Sequence, residues 1–463
     1  MYAKLAEPYA LRGWKNLPYA IIRTDSGTIN FLEQDGFQVL EFCNGKIDLD
    51  AVMLSKKQKQ FFGELKDKGI ITVSDKPMEL SCIQEYRKAD NTYIKAIHWS
   101  VTGRCNLKCR HCYMSAPDYR YHDMNTEECF SMIEQFREAN VSVISISGGE
   151  PFLRKDFFRI VDKILESGIA ISQIYTNGIL ISNDILKECE KRSFKPEFVL
   201  SFDGVGQHDW MRGIEGTEEK TIEVIRKLKK CGYRVMIESA ICRKNIDGLK
   251  ATYELLRDLK IDFWKTSLVF EAGKWKENNQ GTPLQTEELY EEYLKIVQIY
   301  KADKAPMGIQ LDGFFACQKG NIEGYGSPYQ RYGGNRECEN ASSCLNCRIH
   351  PYLLPDGTFL PCPSMTDSEI EGNMPNLLQT TVTDIYKNIE NPFFRLASIK
   401  LKEVIHANED CRNCEYRYDC GGGCRAMSMF SGNGVMGKAD ILCTFFRKGY
   451  PQEIKSLIFQ TDK

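Results

Sequence analysis

Cysteines in this chain are packed into two arrays, and those arrays constrain the fold more than any other feature. The first is Cys105-x3-Cys109-x2-Cys112, inside Thr102-Gly103-Arg104-Cys105-Asn106-Leu107-Lys108-Cys109-Arg110-His111-Cys112-Tyr113. The second runs from about residue 338 to 450 and includes Cys411-x2-Cys414-x5-Cys420-x3-Cys424. The whole sequence has 19 Cys but only 6 His. A disulfide framework belongs to short secreted chains, whereas this one has 463 residues and no apolar signal core at its start. Clustered thiols with few imidazoles favour iron–sulfur clusters or all-Cys zinc.

Lys plus Arg is 61 and Asp plus Glu is 63, a formal charge of −2, which argues against a broadly basic nucleic-acid binder. No apolar run is long enough to cross a bilayer. The expectation is a soluble cytoplasmic protein with no nucleic-acid or membrane partner.

The pattern along the chain predicts five stretches: 1–90, 91–270, 271–337, 338–450 and 451–463. In the first, PYAIIRTDSGTINFL reads as a hairpin turning at Asp25-Ser26-Gly27. Helical stretches and the strand-like Ile70-Ile71-Thr72-Val73 follow, giving a small winged-helix-like unit. From 91 to 270, apolar runs at Ile97–Val101, Val143–Ser147, Gln173–Thr176, Phe198–Phe202, Val235–Ala240 and Phe263–Phe270 alternate with amphipathic helical patterns. Such alternation predicts an α/β fold, here a partial (β/α)6 barrel with a parallel sheet. Residues 271–337 bridge to the second array, where little periodicity is visible and the chain is expected to fold around metal.

Three thiolates on one short loop can hold three corners of a cubane and leave the fourth iron open to a small molecule; a three-Cys zinc site is the alternative. The strand ends supply more. Ser147-Gly148-Gly149-Glu150-Pro151, Tyr175-Thr176-Asn177-Gly178 and Ser201-Phe202-Asp203-Gly204 each follow a strand, where barrel enzymes place their sites. With the cysteine loop, in this order, they resemble the radical S-adenosylmethionine superfamily over about residues 95–270. The resemblance implies that Cys105, Cys109 and Cys112 ligate a reducing [4Fe–4S] cluster whose open iron binds S-adenosylmethionine. It implies that Gly148, Gly149 and Glu150 meet the methionyl amine, Ser201 and Asp203 the ribose, and Tyr113 the adenine. Arg212 would bind the methionyl carboxylate; a surface arginine in a loop is its plainer reading.

The second array resembles the SPASM extension of radical enzymes that modify peptides and proteins. Cys347 is followed by nine residues, Gly357, four residues and Cys362, then by the run from Cys411 and by Cys443. The resemblance implies an outer auxiliary [4Fe–4S] cluster on Cys411, Cys414, Cys420 and Cys443. It implies an inner one on Cys347, Cys362 and Cys424, with Cys344, Cys338 or a substrate thiolate as the fourth ligand. With the cluster of the first loop, that makes three. Residues 17–75 resemble the PqqD-like element that binds leader peptides by strand addition. A structural or DNA-binding winged helix is the alternative.

Together these resemblances imply a maturase of ribosomally made peptides, sactisynthase-like, that installs a Cys sulfur-to-carbon thioether. Its partners would be a precursor peptide held by its leader and a flavodoxin- or ferredoxin-type reductant. A carbon–carbon cross-link is the alternative bond. Formylglycine formation, as in sulfatase maturases, is disfavoured because Pro363 follows Cys362 where that subgroup has Asp. A non-catalytic iron–sulfur protein that binds peptide or carries electrons is the alternative of a different class. An intact Gly148-Gly149-Glu150 and all three first-loop cysteines oppose it.

Overall fold

A computed structural model describes residues 1–279, 281 and 283–460. Its first part is built from short strands. β1 (Tyr2–Leu5), β2 (Tyr9–Gly13), β3 (Ala20–Arg23) and β4 (Ile29–Phe31) come first, then α1 (Gln34–Phe42) and α2 (Lys56–Asp67). β5 (Ile71–Ser74) and β6 (Arg87–Lys88) close this part. β1 pairs with β5, and a separate four-stranded sheet runs β4-β3-β2-β6. The expected hairpin is β3–β4, turning at Gly27 with φ +67°. Sequence periodicity missed β1 and β2. Neither is long; β1 is fixed by the distant β5, and β2 is held between β3 and the distant β6.

α2 starts at a capping box, in which Ser55 accepts from Gln58 N–H while the Gln58 side chain accepts from Ser55 N–H. The hairpin turn rests on the next layer: a Cβ on Gly27 would fall 1.6 Å from Val143 Cγ2. Trp14 Nε1 also donates to Ala139 O at 3.1 Å, and Asn140 Nδ2 to Gly13 O at 2.9 Å.

Next comes the large sheet. β7 (Ala96–Ser100), β8 (Val143–Ser147), β9 (Ala170–Thr176), β10 (Glu197–Ser201), β11 (Val235–Ile241) and β12 (Phe263–Leu268) are the six expected strands, all parallel. Crossovers run through α3 (Thr126–Glu138), α4 (Phe157–Glu166) and α5 (Asn183–Lys191), then the short α6 (His208–Arg212), α7 (Thr217–Lys230) and α8 (Leu249–Asp258). Burial alternates cleanly along β11. Val235, Ile237, Ser239 and Ile241 are buried, and Met236, Glu238 and Ala240 are half-buried. The buried set joins Ile97, Ile144, Ile174, Leu200 and Trp264 in one core, while the other set faces the inside of the curved sheet.

Six strands are not the whole sheet. β13 (Gly308–Leu311) adds in parallel beside β12, and β14 (Phe315–Cys317) folds back antiparallel on it. At the other end β15 (Tyr352–Leu353) pairs in parallel with β7, and β16 (Phe359–Leu360) closes antiparallel. The order β14-β13-β12-β11-β10-β9-β8-β7-β15-β16 is linear, so the sheet stays open. Residues 271–337 and the start of the second cysteine array therefore share the barrel sheet. The rest of that array is a series of short helices, such as Glu409–Arg412, Arg417–Cys420 and Arg425–Phe430. No helix among the described residues is long and apolar enough to cross a membrane.

Candidate active site

The first cysteine loop leaves the C-terminal end of β7 and is strapped down at both edges. Thr102 Oγ1 donates to Asp123 at 2.8 Å and Gly103 N–H to the same carboxylate at 2.7 Å. Farther along, Lys108 N–H and Arg110 N–H donate to the carbonyls of Arg212 and Met211 in α6. Every sulfur accepts an N–H, as a thiolate does. Cys105 takes that of Leu107 at 3.4 Å, Cys109 that of Arg212 Nη1 at 3.6 Å, and Cys112 that of Ala116 at 3.3 Å. Burial nonetheless pushes the bare thiols up, Cys105 to about 12 and Cys112 to about 11. Negative charge on Cys109 raises both further. A metal is what makes thiolates favourable in such a place. Among the described residues no group of three or more His, Cys, Asp or Glu closes on a single-ion site. The corner irons of a cubane stand apart, so its ligands are spread more widely than those of one zinc ion.

Glu150 lies beside this loop, fully buried. Thr176 Oγ1 donates to its two oxygens at 2.8 and 2.9 Å, Asn177 N–H at 2.9 Å and Phe152 N–H at 3.3 Å. Burial raises its carboxyl to about 7 despite these bonds. It makes no ion pair among the described residues, so it lacks a cation, and an amino group is the partner that fits. Gly148 and Gly149 bring this segment against the loop. A Cβ on Gly149 would fall 2.2 Å from Arg104 O, and one on Gly148 2.8 Å from Thr102 O. The donor set and this cation-free carboxylate therefore fit an iron–sulfur cluster with an amino-acid-bearing ligand.

Asp203 and Arg212 do not stand apart as separate ligands. Arg212 Nη2 donates to Asp203 Oδ1 at 2.9 Å, and Nε lies 2.7 Å from Oδ2 without hydrogen-bond alignment. Burial alone would raise the Asp203 carboxyl, but Arg212, His208 and His111 outweigh it and hold it well below the usual range. A ribose hydroxyl or a methionyl carboxylate would have to share this pair. Ser201 is half-buried at the end of β10, opposite Glu238 on β11. Tyr113 is 36% exposed, with its hydroxyl 3.2 Å from that of Tyr352 on β15. Sequence reading missed the anchoring of Glu150 by Thr176 and Asn177, although both stand in the Tyr175–Gly178 motif it singled out.

The second array forms two groups. Cys411, Cys414, Cys420 and Cys443 line one cavity, with Lys438, Arg417 and Arg447 around them. The second group is Cys344, Cys347, Cys362 and Cys424. The neighbouring Cys344 and Cys347 thiols act on each other, Cys344 held down and Cys347 pushed up, and negative charge on Cys362 and Cys424 raises Cys347 further. Cys338 sits instead beside Leu401, Ile405 and Cys411. Gly421, Gly422 and Gly423 carry φ of +60°, +73° and +81°, and a Cβ on any of them would collide with Leu401, Val404 or Ala439.

The sheet is open at both edges, and three cysteines and Gly148-Gly149-Glu150 stand at the C-terminal ends of its strands. Residues 99–256 match the family model of the radical SAM superfamily. Those residues form a radical SAM domain, and the chain is an enzyme. It is similar to the AdoMet-dependent heme synthase of Methanosarcina barkeri, 24% identical over 72% of this chain and 91% of that protein. It is similar to the mycofactocin maturase MftC of Mycolicibacterium smegmatis, 26% identical over 72% of this chain and 79% of that one. In fold it is similar to Streptococcus suis SuiB bound to its precursor peptide SuiA. That match has a TM-score of 0.66 at 15% identity and covers 95% of this chain and 99% of that one.

Proposed function

We propose that this chain is a radical SAM peptide maturase that takes a precursor peptide by its leader and installs a thioether cross-link in it. The observation carrying this reading is the open edge of β4. Leu32 N–H donates to Tyr19 O and Arg23 N–H to Thr28 O, so inward bonds fall on every second residue. The main-chain groups of Ile29 and Phe31 then point to the free side, where β4 has no neighbour among the described residues. Phe31 is 47% exposed and packs on Tyr93 and Trp14, an aromatic floor beside that edge. A leader segment added there as a further strand would be held beside the barrel. SuiB, which resembles this chain over nearly its whole length, has been crystallised with its precursor peptide.

A bound cluster with S-adenosylmethionine would supply carbon-radical chemistry that removes hydrogen from a substrate carbon. The chain's residues do the rest. Cys105, Cys109 and Cys112 hold the cluster, and Glu150 receives the methionyl amine. Ser201 and Tyr113 flank the nucleoside, and the Asp203–Arg212 pair fixes α6 against the cysteine loop. Cys411, Cys414, Cys420 and Cys443 would hold an outer cluster and Cys347, Cys362 and Cys424, with Cys344 as fourth ligand, an inner one, and these would supply an electron acceptor. The reducing electron comes from a flavodoxin- or ferredoxin-type partner.

The similarity to heme synthases favours a second reading, radical chemistry on a tetrapyrrole, which leaves the β4 edge without a use. Anaerobic incubation with S-adenosylmethionine, reductant and either an iron porphyrin carboxylate or short Cys-containing peptides drawn from neighbouring reading frames separates them. The maturase reading expects a peptide lighter by two hydrogens per link, absent with Cys105→Ala. Turnover of an iron porphyrin carboxylate with no change in peptide mass refutes it. Phe31→Pro should weaken peptide binding at least tenfold and spare 5′-deoxyadenosine release.

A further inference from the structure

Arg425 follows Cys424 and is 2% exposed. Nη2 donates to the carbonyls of Gly422 at 2.7 Å and Gly423 at 2.9 Å, and Nη1 to those of Val435 at 2.9 Å and Gly437 at 2.7 Å. Nε adds a bond to Gly423 O at 3.3 Å. All these acceptors are neutral, and Arg425 enters no ion pair among the described residues. Arg212, by contrast, is buried against Asp203. A buried charge without a partner is costly.

The guanidinium is wrapped by the two stretches that position the thiols. The Gly421–Gly423 turn joins Cys420 of the outer group to Cys424 of the inner one, and 435–437 leads to Cys443. Gly422 lines the outer cavity itself. Burial works against the Arg425 charge first of all, and Arg331 nearby adds to that; Cys424, in one group, and Cys411, in the other, act in its favour. Arg12 is also buried against carbonyls alone, those of Leu11, Ile83 and Glu85, so the carbonyl cage is not what marks Arg425. Its place between two four-thiol groups is.

We infer that Arg425 is a buried counter-ion shared by two auxiliary iron–sulfur clusters, beside Lys438, Arg417 and Arg447 at the outer one and Arg331 at the inner one, and holds their reduction potentials up. This rests on the reading that both thiol groups carry clusters. A cubane on four thiolates is anionic, and gaining an electron makes it more so. A fixed cation nearby therefore favours the reduced form, net charge being one of the controls on cluster potential. That suits a pair of clusters that must accept an electron.

The test uses the full chain with Cys105→Ala, Cys109→Ala and Cys112→Ala, so that only the auxiliary signals remain. Arg425, Arg425→Lys and Arg425→Gln forms are compared by iron and sulfide content and by spin-resonance redox titration. With Gln, at least one potential should fall by tenfold or more in the reduction equilibrium, about 59 mV for one electron. Lys should stay near the parent. Loading with Lys but not with Gln also supports the inference. It is overturned if Gln keeps the parent potentials, if Lys and Gln shift alike, or if neither loads. A parent that itself binds no auxiliary iron overturns the reading underneath.

Discussion

The Arg212 guanidinium lies 2.7 Å from the Asp203 carboxylate, and both side chains are buried under the rim of the barrel. The pair ties β10's exit to α6, and through the Arg212 and Met211 carbonyls to the first cysteine loop. Asp203→Asn leaves a buried guanidinium with only Cys109 as an anionic neighbour. It should lower stability by about 3–5 kcal/mol in anaerobic denaturant unfolding at neutral pH. The double variant with Arg212→Gln should lose clearly less than the two single losses combined. Additive losses would show that the pair does not act as a unit.

Gly149→Ala tests the close approach at the rim. The new Cβ would meet Arg104 O at 2.2 Å and Cys105 Cβ at 3.1 Å, and neither can swing aside as a flexible side-chain tip can. The loop must shift, and catalytic groups tolerate little misplacement. 5′-Deoxyadenosine release should fall at least tenfold while the auxiliary iron is retained. Wild-type cleavage in the variant would mean the approach is not required.

What could be read from sequence was what repeats locally. Strands β7 to β12 announce themselves by apolar runs spaced by amphipathic helices, and Val143–Ser147 is found where the pattern puts it. β15 could not be read that way. Two residues, Tyr352 and Leu353, become a strand only because His98 and Trp99 are there to pair with. The site divides in the same manner. Spacing marks Cys105, Cys109 and Cys112, but nothing local says that Asp203 faces Arg212, or that Cys338 packs against the cluster of Leu401, Ile405 and Cys411 while Cys344 lies with Cys347.

That last difference can be measured. Cys344 lies with Cys347, Cys362 and Cys424, so Cys344→Ser should cost the inner group its cluster, about four irons per chain, or change its spin-resonance signal. Cys338→Ser should keep the full iron content and an unchanged spectrum. The reverse pattern would make Cys338 the ligand.

Asp312 supplies the pH dependence. It sits in the turn between β13 and β14 at φ +48°, and its carboxyl is raised to about 6, by burial first, with Lys265 opposing. Tyr329, Tyr290 and Tyr293 surround it and offer no further positive charge. An unfolded Asp titrates near 3.9. Between these values the folded chain holds a proton that the unfolded chain has lost. The acid form is the comfortable one, so stability is fullest below the unfolded value and declines as pH rises through about 6. Asp312→Asn has the same shape, also accepts left-handed backbone, and has no proton to lose. The melting temperature of the parent, minus that of this variant, should therefore fall between pH about 5 and 7 in the loaded full-length protein. Working by difference cancels the acid sensitivity of the clusters, which both proteins share. A flat or rising difference would mean that Asp312 is charged throughout, with Lys265 rather than burial in control.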